Sequence, residues 1–149
     1  MYVTSVVGFT KISHWVYVTF NFFTQQETIC QKLKCDVLTE VIVAGRAEIL
    51  GYEFRPGVDV VAEWTEEGPT FGKVQCIIKT AMKLYLVCQL FDTLYFRRQV
   101  HAYAVKEAAN KELLVIEPYE LFHYRPVHAT QLHDEKDQNL YISVPFAFI

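Results

Sequence analysis

Two stretches of the chain combine aromatic rings with arginine, and these residue types can hold a ligand. The candidate binding residues are Phe91, Tyr95, Phe96, Arg97, Arg98, Tyr119, Phe122 and Tyr124. Rings beside guanidinium groups can stack on nucleobases or surround a methylated ammonium ion. The alternative interpretation is structural, because the same rings could close the open ends of a small β-barrel.

Histidines raise the separate question of a metal site. His123, His128 and His133 recur every five residues, and Asp134 follows the last of them. This spacing places successive side chains on opposite faces of a strand and about 140° apart around a helix. Only a folded loop could gather them, and the alternative is a set of surface or partly buried histidines. We therefore predict no metal site here.

The four cysteines do not follow a zinc pattern either. Cys30 and Cys35 are five positions apart, and Cys76 and Cys88 are twelve positions apart. Zinc ribbons use two closely spaced pairs. We expect reduced thiols, with the second pair in neighbouring strands, where cysteine acts as a small buried hydrophobe.

The chain offers little for catalysis. None of its three serines lies in a G-x-S-x-G motif. Cys88 and His101 can be imagined as nucleophile and base, but four cysteines and five histidines allow many such pairs. The segment 68–73 contains Gly and Lys, yet it lacks the phosphate-loop spacing and precedes a predicted strand. We predict a protein that is not an enzyme and needs no cofactor.

Charge is unevenly distributed along the 149 residues, which carry a net charge of −3. Six basic residues and one acidic residue fall within residues 71–106, and both flanks are acidic. Such a basic band is usually a solvated face, and a ligand-facing patch is the alternative. Nucleic-acid binding through the band is thus the second hypothesis for function.

Composition places the chain among globular proteins. Its apolar fraction is 52% and its charged fraction 21%, the size suits one domain, and no low-complexity tract is present. The N-terminus lacks the pattern of a secretory signal, and the longest uncharged stretch, 12–26, is too short and polar to span a bilayer. With reduced cysteines, this predicts an intracellular protein of the nucleus or cytoplasm with no membrane partner.

Local patterns predict mainly strands. Residues 15–23 and 37–43 read as strands, the second ended by Gly45, with a short helix between them over 25–35. From Glu48 onward, strands alternate with turns about every ten residues. The expected strands are 48–54, 58–64, 71–79, 83–91, 100–105, 113–116 and 140–144, and a further strand is expected to end near Leu132. A loop is expected over 92–98, and a turn or short helix over 117–124.

This pattern predicts a small antiparallel barrel of the Src-homology-3-like or bromo-adjacent-homology-like kind, because a barrel closes its own sheet edges. Residues 48–149 would form the barrel, and residues 1–47 a β and short-helix extension that packs on it or flanks it.

A resemblance covers residues 48–149. It rests on residues 49–60 (ILGYEFRPGVDV), 71–74 (FGKV), 84–87 (LYLV), 100–105 (VHAYAV), 118–121 (PYEL) and 124–126 (YRP). These resemble the C-terminal β domain of uncharacterised, transposon-associated eukaryotic proteins, and are loosely similar to bromo-adjacent-homology and Src-homology-3-like barrels. The resemblance implies a protein-interaction or chromatin-type module and leaves open that the chain is a fragment of a larger protein. No aromatic cage can be matched residue by residue, so no ligand site is carried over.

The function expected from the sequence is therefore a non-catalytic binding module. A protein or chromatin-peptide partner is favoured over nucleic acid, and an enzyme of unrecognised type is the remaining alternative. The oligomeric state is open.

Overall fold

The computed structural model describes residues 2–4, 10–19, 26–36, 39–132 and 139–144. The strands are Tyr2–Thr4 (β1), Thr10–Thr19 (β2), Glu40–Ile49 (β3), Tyr52–Phe54 (β4), Asp59–Thr65 (β5), Gly68–Lys79 (β6), Leu84–Arg97 (β7), Ala102–Glu107 (β8), Leu113–Ile116 (β9), His123–Val127 (β10), Ala129–Gln131 (β11) and Leu140–Ser143 (β12). The described helical elements are one α-helix, Gln26–Leu33 (α1), and one 3₁₀ turn, Pro118–Glu120. The prediction of a mainly β, antiparallel, barrel-like fold with a short helix is confirmed.

The strand pairings curl the sheet into a barrel. β5 pairs with β6, β6 with β7, β7 with β8, β8 with β12, and β12 with β11. One residue, His128, separates β11 from β10, and β10 pairs back onto β5. The last pairing therefore brings the chain back to the first strand of the circuit, so the sheet curls toward closure and fewer strand edges stay open.

The barrel core is formed by apolar side chains on the inward-facing side of the strands. Each side of the barrel contributes one buried apolar residue to a single cluster: Val61 (β5), Phe71 (β6), Phe91 (β7), Val105 (β8), Val127 (β10) and Ile142 (β12). Side chains alternate between the two faces of a strand, so the inward positions are apolar while many of their neighbours are exposed.

The long strands β6 and β7 extend beyond the barrel into a second layer. Their distant halves pair with each other, and they add β3 and β9 at the two edges. One face of this sheet packs residues such as Ile77 and Leu86 against Phe54. The other face packs Ile78 and Val87 against Ile29 of α1. The N-terminal strands thus share a sheet with the strands of the barrel.

Two sequence predictions about elements are wrong, and a third element is shorter than expected. β3 continues through Gly45. Gly45 lies opposite His14, and a Cβ at position 45 would stand only 3.2 Å from atoms of His14, so glycine here permits the close approach of β2 to β3. β3 therefore crosses the boundary expected between residues 47 and 48. Residues 92–97 belong to β7 and are not a loop, since β7 pairs with β8 there through a bulge near Tyr95. The turn or short helix expected over 117–124 is present as one 3₁₀ turn, but it is shorter than expected, because β10 begins at His123.

Other predicted elements are present. The turn over residues 80–82 joins β6 to β7, and Thr80 N donates to the Lys83 carbonyl at 2.9 Å. The turn after Phe54 places Pro56 and Gly57 at its two central positions, with Val58 N donating to the Arg55 carbonyl at 3.1 Å. Gly57 has φ +96°, the conformation that a type II turn requires and that glycine adopts without steric cost.

Candidate functional site

Four aromatic rings contact one another in a row on the barrel. Phe122 stands 5.6 Å from Trp64, Trp64 stands 5.8 Å from Tyr103, and Tyr103 stands 4.8 Å from Phe96, measured between ring centroids. We call Phe122, Trp64, Tyr103 and Phe96 the aromatic row. His101 extends it, with its ring 6.3 Å from that of Phe96.

Strand pairing places these rings together. Phe96 of β7 lies directly opposite Tyr103 of β8, where cross-strand side chains are close enough to pack. Trp64 lies at the end of β5 and packs edge-to-face on Tyr103 at an interplanar angle of 86°. Phe122 is held by its backbone, because its N–H donates to the Ala62 carbonyl at 3.0 Å.

The aromatic row is partly open to solvent. Phe122 is 43% exposed and Phe96 is 45% exposed, while Trp64 and Tyr103 between them are half-buried. The Tyr103 ring rests on the fully buried Phe71, with 5.9 Å between centroids, which ties the row to the barrel core. Burial raises the pKa of the Tyr103 phenol. The row is therefore a firmly supported apolar surface with two exposed ends.

The row unites one residue from each aromatic stretch of the sequence, Phe96 and Phe122. It also includes Trp64 and Tyr103, which sequence reasoning missed. Both had been placed in predicted strands, but no local signal showed that strands 40 residues apart in sequence would meet. Only the alternation of large rings with small residues, as in Ala102-Tyr103-Ala104, hinted that Tyr103 faces other rings.

Other candidates from the first stretch lie elsewhere. Phe91 is a core residue, 5% exposed, with Lys73 Nζ 5.7 Å from its ring centroid. Tyr95 and Arg97 project from the face opposite to Phe96 and contact Tyr141: the two tyrosine Oη atoms are 3.1 Å apart, and the Arg97 guanidinium carbon is 5.8 Å from the Tyr141 ring. Arg97 and Tyr95 are therefore engaged in packing around Tyr141.

The remaining candidates are separate from the row. Arg98 is exposed in the turn between β7 and β8, next in sequence to Arg97. Tyr119 is 57% exposed on the 3₁₀ turn and makes no ring contact among the residues that the structure describes. The side chain of Tyr124 lies outside the described part of the chain.

The thiols are placed for packing. Burial raises the pKa of the Cys76 thiol to about 11 and that of Cys88 to about 12. Cys88 lies in the middle of β7, whereas His101 follows its far end beside Phe96, about eight residues or about 26 Å along the strand. The structure does not bring the imagined Cys88–His101 pair together.

The histidine series is only partly described. His133 and Asp134 lie outside the described residues, while His123 and His128 lie in and after β10. Within the described ranges, no three His, Cys, Asp or Glu side chains are grouped so as to hold a metal ion.

The basic band is divided by the fold. Lys79 and Lys83 flank the hairpin at one end of the 14-residue strand β7, and Lys83 pairs with Glu117 at 3.5 Å. Arg97 and Arg98 lie at the other end of that strand. These basic residues of segment 71–106 therefore lie on distant parts of the surface.

No protein-family model, curated protein or solved structure matches this chain. In the described residues, no helix has the length and apolar character needed to cross a membrane.

Proposed function

We propose that this protein is a non-catalytic binding module whose aromatic row receives an extended, basic segment of a partner protein. The observation that supports the proposal is the unbroken contact of four rings, two of them more than two-fifths exposed. Contiguous exposed apolar surface marks interaction sites more often than scattered apolar residues do.

The dimensions of the row favour a peptide. Three successive centroid separations of 5.6, 5.8 and 4.8 Å give a surface that about five residues of extended chain would cover, at about 3.3 Å per residue. Aromatic-lined surfaces of this kind suit extended segments, because flat rings pack against proline and long aliphatic side chains.

The charge beside Trp64 favours a basic partner over nucleic acid. The turn that directly follows Thr65 carries Glu66 and Glu67, both exposed and two and three positions after Trp64 of the row. Carboxylates there would repel a phosphate backbone and attract lysine or arginine. The resemblance of residues 48–149 to chromatin-type barrels agrees with such a partner.

Binding of synthetic peptides tests the proposal. We expect an array of extended basic peptides, histone-tail sequences included, to yield ligands whose affinity is confirmed by fluorescence anisotropy. Phe96→Ser and Phe122→Ser should each weaken binding at least about fivefold, because truncation of an anchoring aromatic contact costs about 1–4 kcal/mol.

Tyr119→Ser is the matched control, because Tyr119 is an exposed aromatic outside the row. It should leave the affinity unchanged, and all three variants should retain the melting temperature of the parent. The proposal fails if the folded protein retains no peptide, or if Tyr119→Ser weakens binding as much as the two row variants do.

A further inference from the structure

A concave site lies away from the aromatic row, where β10, β11 and β12 face the turn between β4 and β5. Its volume is about 630 Å³, within the range of small-molecule pockets. Its walls are largely apolar and include Tyr52, Val58 and Pro126. The site shares no residue with the aromatic row.

Two guanidinium groups line this cavity. Arg55 comes from the turn after β4, and Arg125 comes from β10, which lies alongside β4. Among the described residues neither forms an ion pair, whereas the carboxylate of Glu53 in the same lining is paired with Arg46 at 3.2 Å. The cationic charge of the two arginines is therefore left for a ligand, and a concave apolar wall strengthens its field relative to a flat surface.

The backbone holds both arginines in place. Arg55 opens the type II turn, which is fixed to β6 because Gly57 N donates to the Val74 carbonyl and Val74 N donates to the Val58 carbonyl, each at 2.8 Å. Arg125 precedes Pro126, which keeps its backbone extended, and Arg125 N donates to His123 Nδ1 at 3.1 Å. Binding would therefore cost little further ordering of the backbone around these arginines.

The cavity lining also contains three other polar side chains. His128 adds an imidazole, and Thr130 and Ser143 add hydroxyls. Thr130 Oγ1 donates to the Tyr141 carbonyl at 3.4 Å and Ser143 Oγ to the His101 carbonyl at 3.1 Å, so both hydroxyl hydrogens are engaged and donation to an anion falls to the arginines. Asp59 is near this wall, where Lys73 and His128 act on its carboxylate and its Oδ2 accepts the Ala129 N–H at 3.0 Å.

We infer that this cavity binds an organic anion, a carboxylate or phosphate carried on a ring-sized apolar body. The anionic group lies between Arg55 and Arg125, and the apolar body packs on Tyr52, Val58 and Pro126. Charge-assisted hydrogen bonds from two arginines supply specificity for planar or tetrahedral oxyanions.

Calorimetric titration of the whole chain at low ionic strength tests the inference with four probes. Phenyl phosphate and phenylacetate share an apolar ring and differ in the anion, phenylacetamide is the neutral analogue, and inorganic phosphate lacks the ring. We expect at least one of the two aromatic anions to bind at least tenfold more tightly than both phenylacetamide and inorganic phosphate. The tighter of the two shows whether the natural group is a phosphate or a carboxylate.

Variants locate the binding. Arg55→Gln and Arg125→Gln should each weaken the better aromatic anion at least tenfold, and Arg98→Gln, an exposed arginine outside the cavity, should not. Added salt should weaken binding to the parent protein. The inference is overturned if no aromatic anion binds, if phenylacetamide or inorganic phosphate binds equally well, or if neither cavity arginine matters. These outcomes are independent of peptide binding, because the aromatic row is intact in all three variants.

Discussion

Asp59 provides a sensitive test of how the barrel is closed. It is the first residue of β5, it is only 5% exposed, and its Oδ2 accepts the N–H of Ala129 at the start of β11. Its Oδ1 is buried without a hydrogen-bond partner among the described residues. One carboxylate therefore ties β5 to the junction of β10 and β11, and does so while partly unsatisfied.

The cost of removing this carboxylate follows from its single hydrogen bond. Asp59→Ala leaves the Ala129 N–H without its acceptor, and a hydrogen bond to a charged group contributes about 1.5–3 kcal/mol. The substitution also removes a buried charge with one unpaired oxygen, and the free energy regained in this way offsets part of the loss of the hydrogen bond. We expect a net loss of about 1–2 kcal/mol in the free energy of unfolding, or about 2–8 °C in Tm at this chain length. Asp59→Asn keeps an acceptor oxygen and should cost less than about 1 kcal/mol.

The pH dependence has a defined sign. Burial is the main cause that raises the pKa of Asp59 above 3.8, opposed by the Ala129 hydrogen bond and the charges of Lys73 and His128. A carboxyl group with a higher pKa in the folded state binds protons more readily there than in the unfolded chain. Its contribution to stability is full below the unfolded pKa, near pH 4, and is lost as the pH rises through the folded pKa.

Urea unfolding of the parent, Asp59→Asn and Asp59→Ala between about pH 3.5 and pH 7 measures both effects. The other carboxylates are common to all three proteins, so differences between them isolate Asp59. The stability of the parent relative to Asp59→Asn should fall as the pH rises from about 4. A relative stability that rises with pH would refute the assignment of burial as the dominant cause. Equal losses in the Asn and Ala variants would refute the role of the hydrogen bond to Ala129.

Further predictions concern the core, the thiols and the turn. Phe71→Ala should lower the free energy of unfolding by about 3–5 kcal/mol, since Phe71 is fully buried, whereas Met82→Ala, at an 82% exposed side chain, should change it by less than about 0.5 kcal/mol. Cys76 and Cys88, with pKa values of about 11 and 12, should resist a disulfide reagent at pH 7.4 in the native protein and react in urea; rapid native reaction of either would contradict their burial. Gly57→Ala should lower the free energy of unfolding by about 1 kcal/mol and weaken binding of the aromatic anion, because φ +96° is strained for alanine. Gly57→Asn should lower it less. A Gly57→Ala protein with unchanged stability would argue against the turn.

Much of the fold was accessible from the sequence because its signals are local. The strand at 113–116 and the turn at 55–58 depend on apolar runs and on Pro-Gly chemistry, and both lie where they were expected. The errors arose where a distant partner overrides the local signal. Gly45 usually ends a strand, but here it admits the close approach of His14. Residues 92–97 follow an apolar strand and carry mixed polarity, but β8 supplies the hydrogen bonds that keep them extended.

The two aromatic stretches that first suggested ligand binding were divided by the fold. Sequence adjacency grouped Phe91, Tyr95 and Phe96, but residues of a strand alternate between faces. Phe91 entered the barrel core, Tyr95 turned toward Tyr141, and Phe96 joined the aromatic row.

By itself, the sequence determined that this chain is mainly β, with strands separated by turns and a small helix, because periodicity, β-branched and aromatic residues and turn glycines act over a few residues. Only the tertiary structure decided which rings meet and which arginines share a cavity. Trp64 and Tyr103, or Arg55 and Arg125, are brought together by strand pairings between segments some 40 to 70 residues apart. Pairing of that kind is selected by the cooperative burial of the whole core, which no local pattern encodes.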